Sequence, residues 1–336
     1  MNMPPASEWL INSSPHVRAN DSVSRIMGRV LIALIPALGA AVWFFGWNAL
    51  RLTLACTVTC VLAEWASRTL MKRDRGINDL SAAVTGVLLA LNLPPQLPTW
   101  MAVLGSLVAI VIAKQLYGGI GYNLFNPALI GRTFLLVSFP VAMTTWMAPS
   151  VFPWADAITT ATPLGIWKTA LNATQHAPPD FFQQFSVSDL LTGNRPGCLG
   201  ETCSLGLLLG AAYLLITRCI TWHIPFSMLF TIALGATILY KMDPTQNLPP
   251  HYQLLTGGVL LGAFFMATDM VTTPVTRPGM ILFGIGCGLI TLVIRKWGGY
   301  PEGVSFSILI MNSLTPLINR LARSRVFGHA PQSKPA

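Results

Sequence analysis

The chain has 336 residues, of which 53% are hydrophobic and only 10% charged, against roughly 25% charged residues in an ordinary soluble domain. So few charges cannot cover a soluble surface of this size, whereas a bilayer removes the requirement and tolerates the 28 glycines and 25 prolines. The formal net charge of +9 does not point to nucleic acid as a partner, because the basic residues lie between hydrophobic runs and form no single patch.

Residues 1–25 read as a cytoplasmic N-terminal segment. The first 29 residues are polar, contain Pro4, Pro5 and Pro15, and hold no continuous apolar region of the kind a cleavable signal peptide needs. The first hydrophobic segment is therefore expected to direct its own insertion. Apolar runs follow at 30–47, 50–67, 80–93, 100–113, 127–143, 205–220, 224–240, 254–267, 280–294 and 304–318. Several are shorter than the roughly 20 residues of a spanning helix, so their ends extend into flanking polar residues. The expected fold is all-α and integral to the membrane, with about ten transmembrane helices.

With the N-terminus cytoplasmic, fifteen Lys and Arg residues fall inside, among them Lys114 and Arg132, and only six outside: Arg51, Lys168, Arg195, Lys241, Arg295 and Lys296. This is the asymmetry that the positive-inside rule requires, and it puts both termini in the cytoplasm. The long connection over 144–203 then becomes an external, periplasmic loop. Long structureless loops in compact proteins are usually functional; a surface insertion is the other reading.

Gly86-Val-Leu-Leu89 reappears as Gly258-Val-Leu-Leu261, and Lys114-Gln-Leu-Tyr-Gly-Gly119 is echoed by Arg295-Lys-Trp-Gly-Gly-Tyr300, in the same order. The echoes divide the chain into a first five-helix repeat over 26–143 and a second over 204–320, leaving a cytoplasmic tail over 321–336. An odd number of helices per repeat forces the second to insert upside down. In inverted repeats, short or Gly-interrupted spans at matching positions mark the functional site, and here these are the third and the eighth.

Within the external loop, Asp156-Ala-Ile-Thr159-Thr160-Ala-Thr162-Pro163 resembles a flavinylation motif, in which an acid precedes Ser/Thr-x-Ala-Thr and the last threonine is esterified to the phosphate of FMN by a flavin transferase. The match implies Thr162 as the attachment site and calls for an exposed hydroxyl on a flexible loop. Ala157 and Thr160 stand where Gly is more usual, which leaves Thr159 and Thr160 as rival hydroxyls.

Further stretches, from Ala113 to Ala128 around Asn123 and Asn126, Gly200-Glu-Thr, Leu261 to Asp269, and Gly298-Gly-Tyr-Pro-Glu-Gly303, are similar to the RnfD component of the Rnf electron transport complex and to its relative NqrB in the sodium-pumping NADH:quinone oxidoreductase. The resemblance implies a flavin-bearing component of a bacterial inner-membrane translocase that couples electron transfer between ferredoxin and NAD to movement of sodium ions or protons. It implies membrane lipid around the chain, the membrane partners RnfA, RnfE and RnfG, and the peripheral partners RnfB and RnfC. It also implies a second flavin, riboflavin, held non-covalently. An isoalloxazine ring needs hydrogen bonds inside an apolar pocket, and Asn123, Asn126, Thr85 and Thr272 can supply them, although each also suits a helix-capping role.

Ionisable residues inside a membrane are functional candidates by default. Glu64, near the inner end of the second run, and Asp269, near the inner end of the eighth, are the two considered, with solvation at headgroup level as the alternative. Cys56, Cys60, Cys219 and Cys287 read as small buried hydrophobes. Cys198 and Cys203 flank Gly-Glu-Thr and can pair in an oxidising compartment. His223 beside Trp222 reads as an interfacial anchor. No iron–sulfur spacing is present, so no metal is assigned. With no Gly-rich nucleotide fingerprint either, the chain carries no complete active site, and NAD is left to partners. A different class of reading is a stand-alone inverted-repeat channel or carrier for a small polar solute, which would have no use for Thr162.

Overall fold

The computed structural model describes residues 21–73, 78–149, 159–174, 176, 178 and 181–322. Asp156 and most of the two terminal segments lie outside the described residues. Every apolar run in the sequence coincides with helix. Helix α1 (Val23–Phe45) starts where the Ser22 side chain accepts from the Arg25 N–H and ends at Gly46, whose φ of 55° suits glycine. Next come α2 (Trp47–Leu70), the short α3 (Ser81–Leu91), and α4 (Thr99–Leu107), which runs on as a π-helix over Val108–Gln115.

Helix α5 (Pro127–Ser138) stops earlier than the run to 143 suggests. Pro140 forces Phe139 out of the helical region, to φ −132° and ψ 60°, and only the four-residue α6 (Pro140–Met143) follows.

The connection over 144–203 is not structureless. A two-residue antiparallel pair, β1 (Trp146–Met147) with β2 (Thr159–Thr160), aligns Trp146 with Thr160 and is the one departure from all-α among the described residues. Three helices follow: α7 (Pro163–Thr174), α8 (Phe181–Gln184) and α9 (Val187–Thr192). They share a small core in which Trp167, Phe181, Phe185 and Leu190 pack on Leu248 and Tyr252. Trp167 and Phe181 meet edge-on at 5.0 Å, and the Tyr252 hydroxyl donates to the Phe185 carbonyl at 2.8 Å. Buried aromatic rings supply enough apolar area to fold this segment against the helices.

The second half contains α10 (Ser204–Ile216), α11 (His223–Met242), a broken eighth segment, α14 (Arg277–Trp297) and α15 (Val304–Leu321). The break consists of α12 (Pro250–Leu255), then Thr256 and Gly257, then α13 (Val259–Leu261) continuing as a π-helix over Gly262–Met266. Gly257 has a φ of 66°. Among the described residues, α1, α2, α11 and α14 are long and apolar enough to cross a membrane. Their outer faces are apolar too, with Ile32, Ile35 and Trp43 exposed on α1 and Leu282, Leu289 and Val293 on α14. Helices that are apolar all round belong in lipid.

Lipid gives helices no hydrophobic reason to associate, so small residues that allow close backbone approach hold them together. Helix α10 packs on α1, α11 on α14, and α3 on α2. Gly206 and Gly210 put α10 against α1, where a Cβ at Gly206 would lie 3.1 Å from the Ala37 nitrogen. Gly288 approaches α11 so closely that a Cβ would lie 2.8 Å from the Thr231 Cβ. Gly86 is tighter still, at 2.6 Å from the Thr57 Cα. Gly86→Val must therefore push α3 off α2, and overpacking of this kind costs about 1–3 kcal/mol. We expect a lower unfolding midpoint in detergent and weaker accumulation in the membrane; a midpoint equal to wild type would show that α3 is free to shift.

Three basic residues assigned to the inner side, Arg68, Lys114 and Arg132, are buried, as are Arg195 and Arg295 of the outer group. Buried, hydrogen-bonded cations do not act as topology signals. Removing them leaves twelve against four, so the asymmetry survives.

Candidate functional site

Four of the polar residues that the sequence singles out line one cavity. Thr85 of α3, Asn123 and Asn126 of the turn before α5, and Asp269 just past the second π-helix share it with Lys114 and with apolar walls from α1 and α10. The turn is shaped by Gly118, Gly119 and Gly121, all with φ between 91° and 128°, a backbone that side-chain-bearing residues rarely adopt. Asn126 caps α5, accepting from the Ala128 N–H at 3.0 Å, while its amide donates to the Met266 carbonyl at 3.2 Å. One residue thus ties the two halves together.

Thr85 donates to the Ser81 carbonyl at 2.9 Å, and Asn123 to the Phe125 carbonyl at 3.2 Å. Thr272 lies beside the cavity and donates to Asp269 at 3.3 Å. An apolar chamber with a few convergent polar groups is the form of a cofactor pocket. Its free volume of about 100 Å³ is below the roughly 300–1,000 Å³ of pockets that hold drug-sized ligands. A ring as large as a flavin needs half-buried side chains such as Met27 and Ile120 to turn aside.

Glu64 is buried within the protein. It is 1% exposed and accepts from Arg68 at 2.5 Å, from Gln115 at 2.9 Å and from Lys114 at 2.8 Å. Lys114 also donates to Ser81 at 2.6 Å, and Arg68 pairs with Asp79 at 2.9 Å. Burial of a carboxylate in a membrane protein is tolerated only with such partners. Through Lys114, the network forms one wall of the cavity.

A second buried network joins the loop to α3, α5 and α15. Arg132 donates to Asn92 at 3.0 Å and Ser305 at 2.9 Å, pairs with Glu302, and lies 3.6 Å from Glu201. Thr162 sits next to it in a crevice with Arg195, Glu201 and Glu302. The flavinylation motif calls for an exposed hydroxyl; in the structure Thr162 is 5% exposed, because its oxygen caps α7 by accepting from the Gly165 N–H at 3.1 Å. The first turn of a helix and an arginine form a setting suited to a phosphate, although the two carboxylates oppose it.

Cys198 and Cys203 are both free. The Cys198 thiol donates to the Asn92 carbonyl at 3.2 Å, and the Cys203 sulfur accepts from the Gly206 N–H at the start of α10, so each has a local role. Cys198, Glu201 and Glu302 bring possible ligand atoms within 4.8 Å of one another. The Arg132 guanidinium, paired with both carboxylates, already supplies the positive charge there.

A model of the NQR2, RnfD, RnfE family matches residues 10–328. The chain belongs to this family. The D subunit of the Na(+)-translocating ferredoxin:NAD(+) oxidoreductase complex of Acetobacterium woodii is 47% identical over 320 residues, which cover 95% of each chain. Its counterpart in the proton-translocating ferredoxin:NAD(+) oxidoreductase complex of Clostridium ljungdahlii is 44% identical, over 95% of this chain and 96% of its own. The corresponding component of an ion-translocating oxidoreductase complex of Halorhodospira halophila is 40% identical over 96% of each.

In this member of the NQR2, RnfD, RnfE family, Glu201 and Glu302 lie inside sequence stretches that point to the family, yet sequence reasoning singles out neither as a site residue. Nothing in a run such as Gly200-Glu-Thr announces that its carboxylate is buried. Burial first, and Glu302 next, push the Glu201 carboxyl up to about 8, against the pull of Arg132 and Arg195. Between about pH 4.5 and about 8 the folded chain then keeps a proton that the unfolded chain has released, so stability falls as pH rises through this window. Glu201→Gln should flatten that dependence. The check is the unfolding midpoint of the purified complex across the window; a slope equal to wild type would exclude Glu201 as its source.

Proposed function

We propose that the chain is the flavin-bearing membrane component of an Rnf-type complex, which couples electron transfer between ferredoxin and NAD to translocation of sodium ions or protons. The observation that carries this is near-complete coverage, at 40–47% identity, of proteins named as components of ion-translocating oxidoreductases, two of them ferredoxin:NAD(+) oxidoreductases. The relatives act within multisubunit complexes, which disfavours a stand-alone channel. The membrane proteins RnfA, RnfE and RnfG and the peripheral proteins RnfB and RnfC are the partners expected on this reading, and a flavin transferase is needed for maturation.

Thr162 carries FMN as a phosphoester on the periplasmic side, and the cavity between Thr85, Asn123, Asn126 and Asp269 holds riboflavin near the cytoplasmic side. Flavins supply one- and two-electron steps. The residues of the chain position them: Arg195 and the start of α7 face the tether, while Asn123, Asn126 and Lys114 present donors to a ring. The depth of Thr162 implies that attachment precedes final closure of the loop, or opens it.

Ten crossings arranged as two inverted halves, with both termini cytoplasmic in the bacterial inner membrane, complete the reading. The packing pattern supports it. Helix α2 contacts α3 and α4 as α11 contacts α12 and α14; α4 contacts α5 as α14 contacts α15; α1 meets α10 and α5 meets α15 across the divide. This is the exchange expected of two halves related by a two-fold axis, and an odd number of crossings per half would lay that axis in the membrane plane.

The test isolates the chain by a tag from a host that has the flavin transferase and views a denaturing gel under ultraviolet light. We expect co-purifying oxidoreductase components and a fluorescent band at the mass of this chain. A dark band in a chain purified without partners would overturn the reading.

A further inference from the structure

A cavity of about 350 Å³ opens where α7 crosses the ends of α11 and α14. Lys168, Arg295 and Lys296 line it, with Trp167, Leu239 and Leu292 as apolar wall. Among the described residues, no carboxylate lines it and none forms an ion pair with these three cations. Arg295 is 8% exposed. It donates only to neutral acceptors, the Gln253 carbonyl at 2.6 Å and amide oxygen at 2.8 Å and the Thr256 carbonyl at 2.8 Å. Its buried Nε finds no hydrogen-bond acceptor among the described residues.

Lys296 donates to the Asn247 amide oxygen at 2.8 Å. Lys168 binds carbonyls at the end of α14, that of Tyr300 at 3.0 Å, and burial lowers its pKa. Glu302 and Glu201 act on Arg295, and Asp243 on Lys296, across space without forming ion pairs.

The sequence echo sharpens the contrast. In the first-half stretch of that echo, Lys114 has the Glu64 carboxylate 2.8 Å away. The wall of the cavity that Arg295 lines includes Ala236 and Leu239, and among the described residues no carboxylate forms an ion pair with Arg295.

We propose that this cavity binds the phosphate of an anionic lipid headgroup. Three cations of which one is a planar guanidinium suit phosphate oxygens, and the apolar wall accepts what the phosphate carries. The inference does not rest on the flavin reading of Thr162.

The purified complex is placed in nanodiscs of phosphatidylcholine alone or doped with phosphatidylglycerol, and hydrogen exchange is read over residues 164–172 and 246–253. Phosphatidylglycerol should slow exchange about tenfold, the factor for a ligand at about ten times its Kd. Lys168→Gln/Lys296→Gln should abolish the effect and Lys168→Arg/Lys296→Arg retain it; if the double variant does not accumulate, Lys296→Gln alone is read. Equal slowing in wild type and the Gln variants, or none in any background, overturns the site.

Discussion

Thr162→Val is expected to abolish the covalent flavin outright while leaving the chain in the membrane. Valine keeps the shape of threonine and removes only the hydroxyl, so the nucleophile for the phosphoester is gone. Its second loss is the cap on α7, where the Gly165 N–H now bonds to the Thr162 oxygen at 3.1 Å. Losing such a cap costs about 1 kcal/mol, a small fraction of the stability of a chain this size. Thr162→Ser keeps both hydroxyl and cap and should retain labelling. Thr159→Val and Thr160→Val should leave the band intact. Mass spectrometry of the peptide between Arg132 and Lys168 should show the mass of FMN less water. Label that survives in Thr162→Val, or maps to Thr159 or Thr160, refutes the assignment.

Arg132→Met should produce the largest loss of stability of any substitution considered. It leaves the half-buried Glu302 carboxylate beside Glu201 without its cation and strands the Asn92 and Ser305 acceptors. Removing one partner from a buried ionic network costs about 3–5 kcal/mol. We expect poor accumulation, or an unfolding midpoint well below wild type. Adding Glu201→Gln and Glu302→Gln removes the stranded charge and should recover part of the loss. A single variant as stable as wild type would mean that water reaches the carboxylates and the network is not sealed.

The two experiments probe different things. Thr162 tests chemistry that the loop displays, whereas Arg132 tests the joint that fixes the loop against α3, α5 and α15. A chain with an intact Arg132 network and no Thr162 hydroxyl should assemble without its tethered flavin.

Hydropathy and charge by themselves determined the membrane class and the position of every described long helix, because lipid imposes long apolar runs on any sequence that crosses it. The motif stretches around Asn123, Asn126 and Gly298 determined the family. The echo at Gly86 and Gly258 fell in the short α3 and in the broken eighth segment. The same sequence did not reveal that the connection over 144–203 folds on Trp167, Phe181 and Phe185, since aromatic residues scattered at irregular spacing carry no period to read. Nor could it tell Glu64 buried among three donors from Glu64 open to solvent, or Arg132 in a buried network from Arg132 exposed to solvent. Partners such as Lys114 and Glu64 stand 50 residues apart, and Arg132 and Glu302 stand 170 apart. Only tertiary packing brings such pairs together, because the free energy of a buried charge depends on its neighbours in space and not on those in sequence.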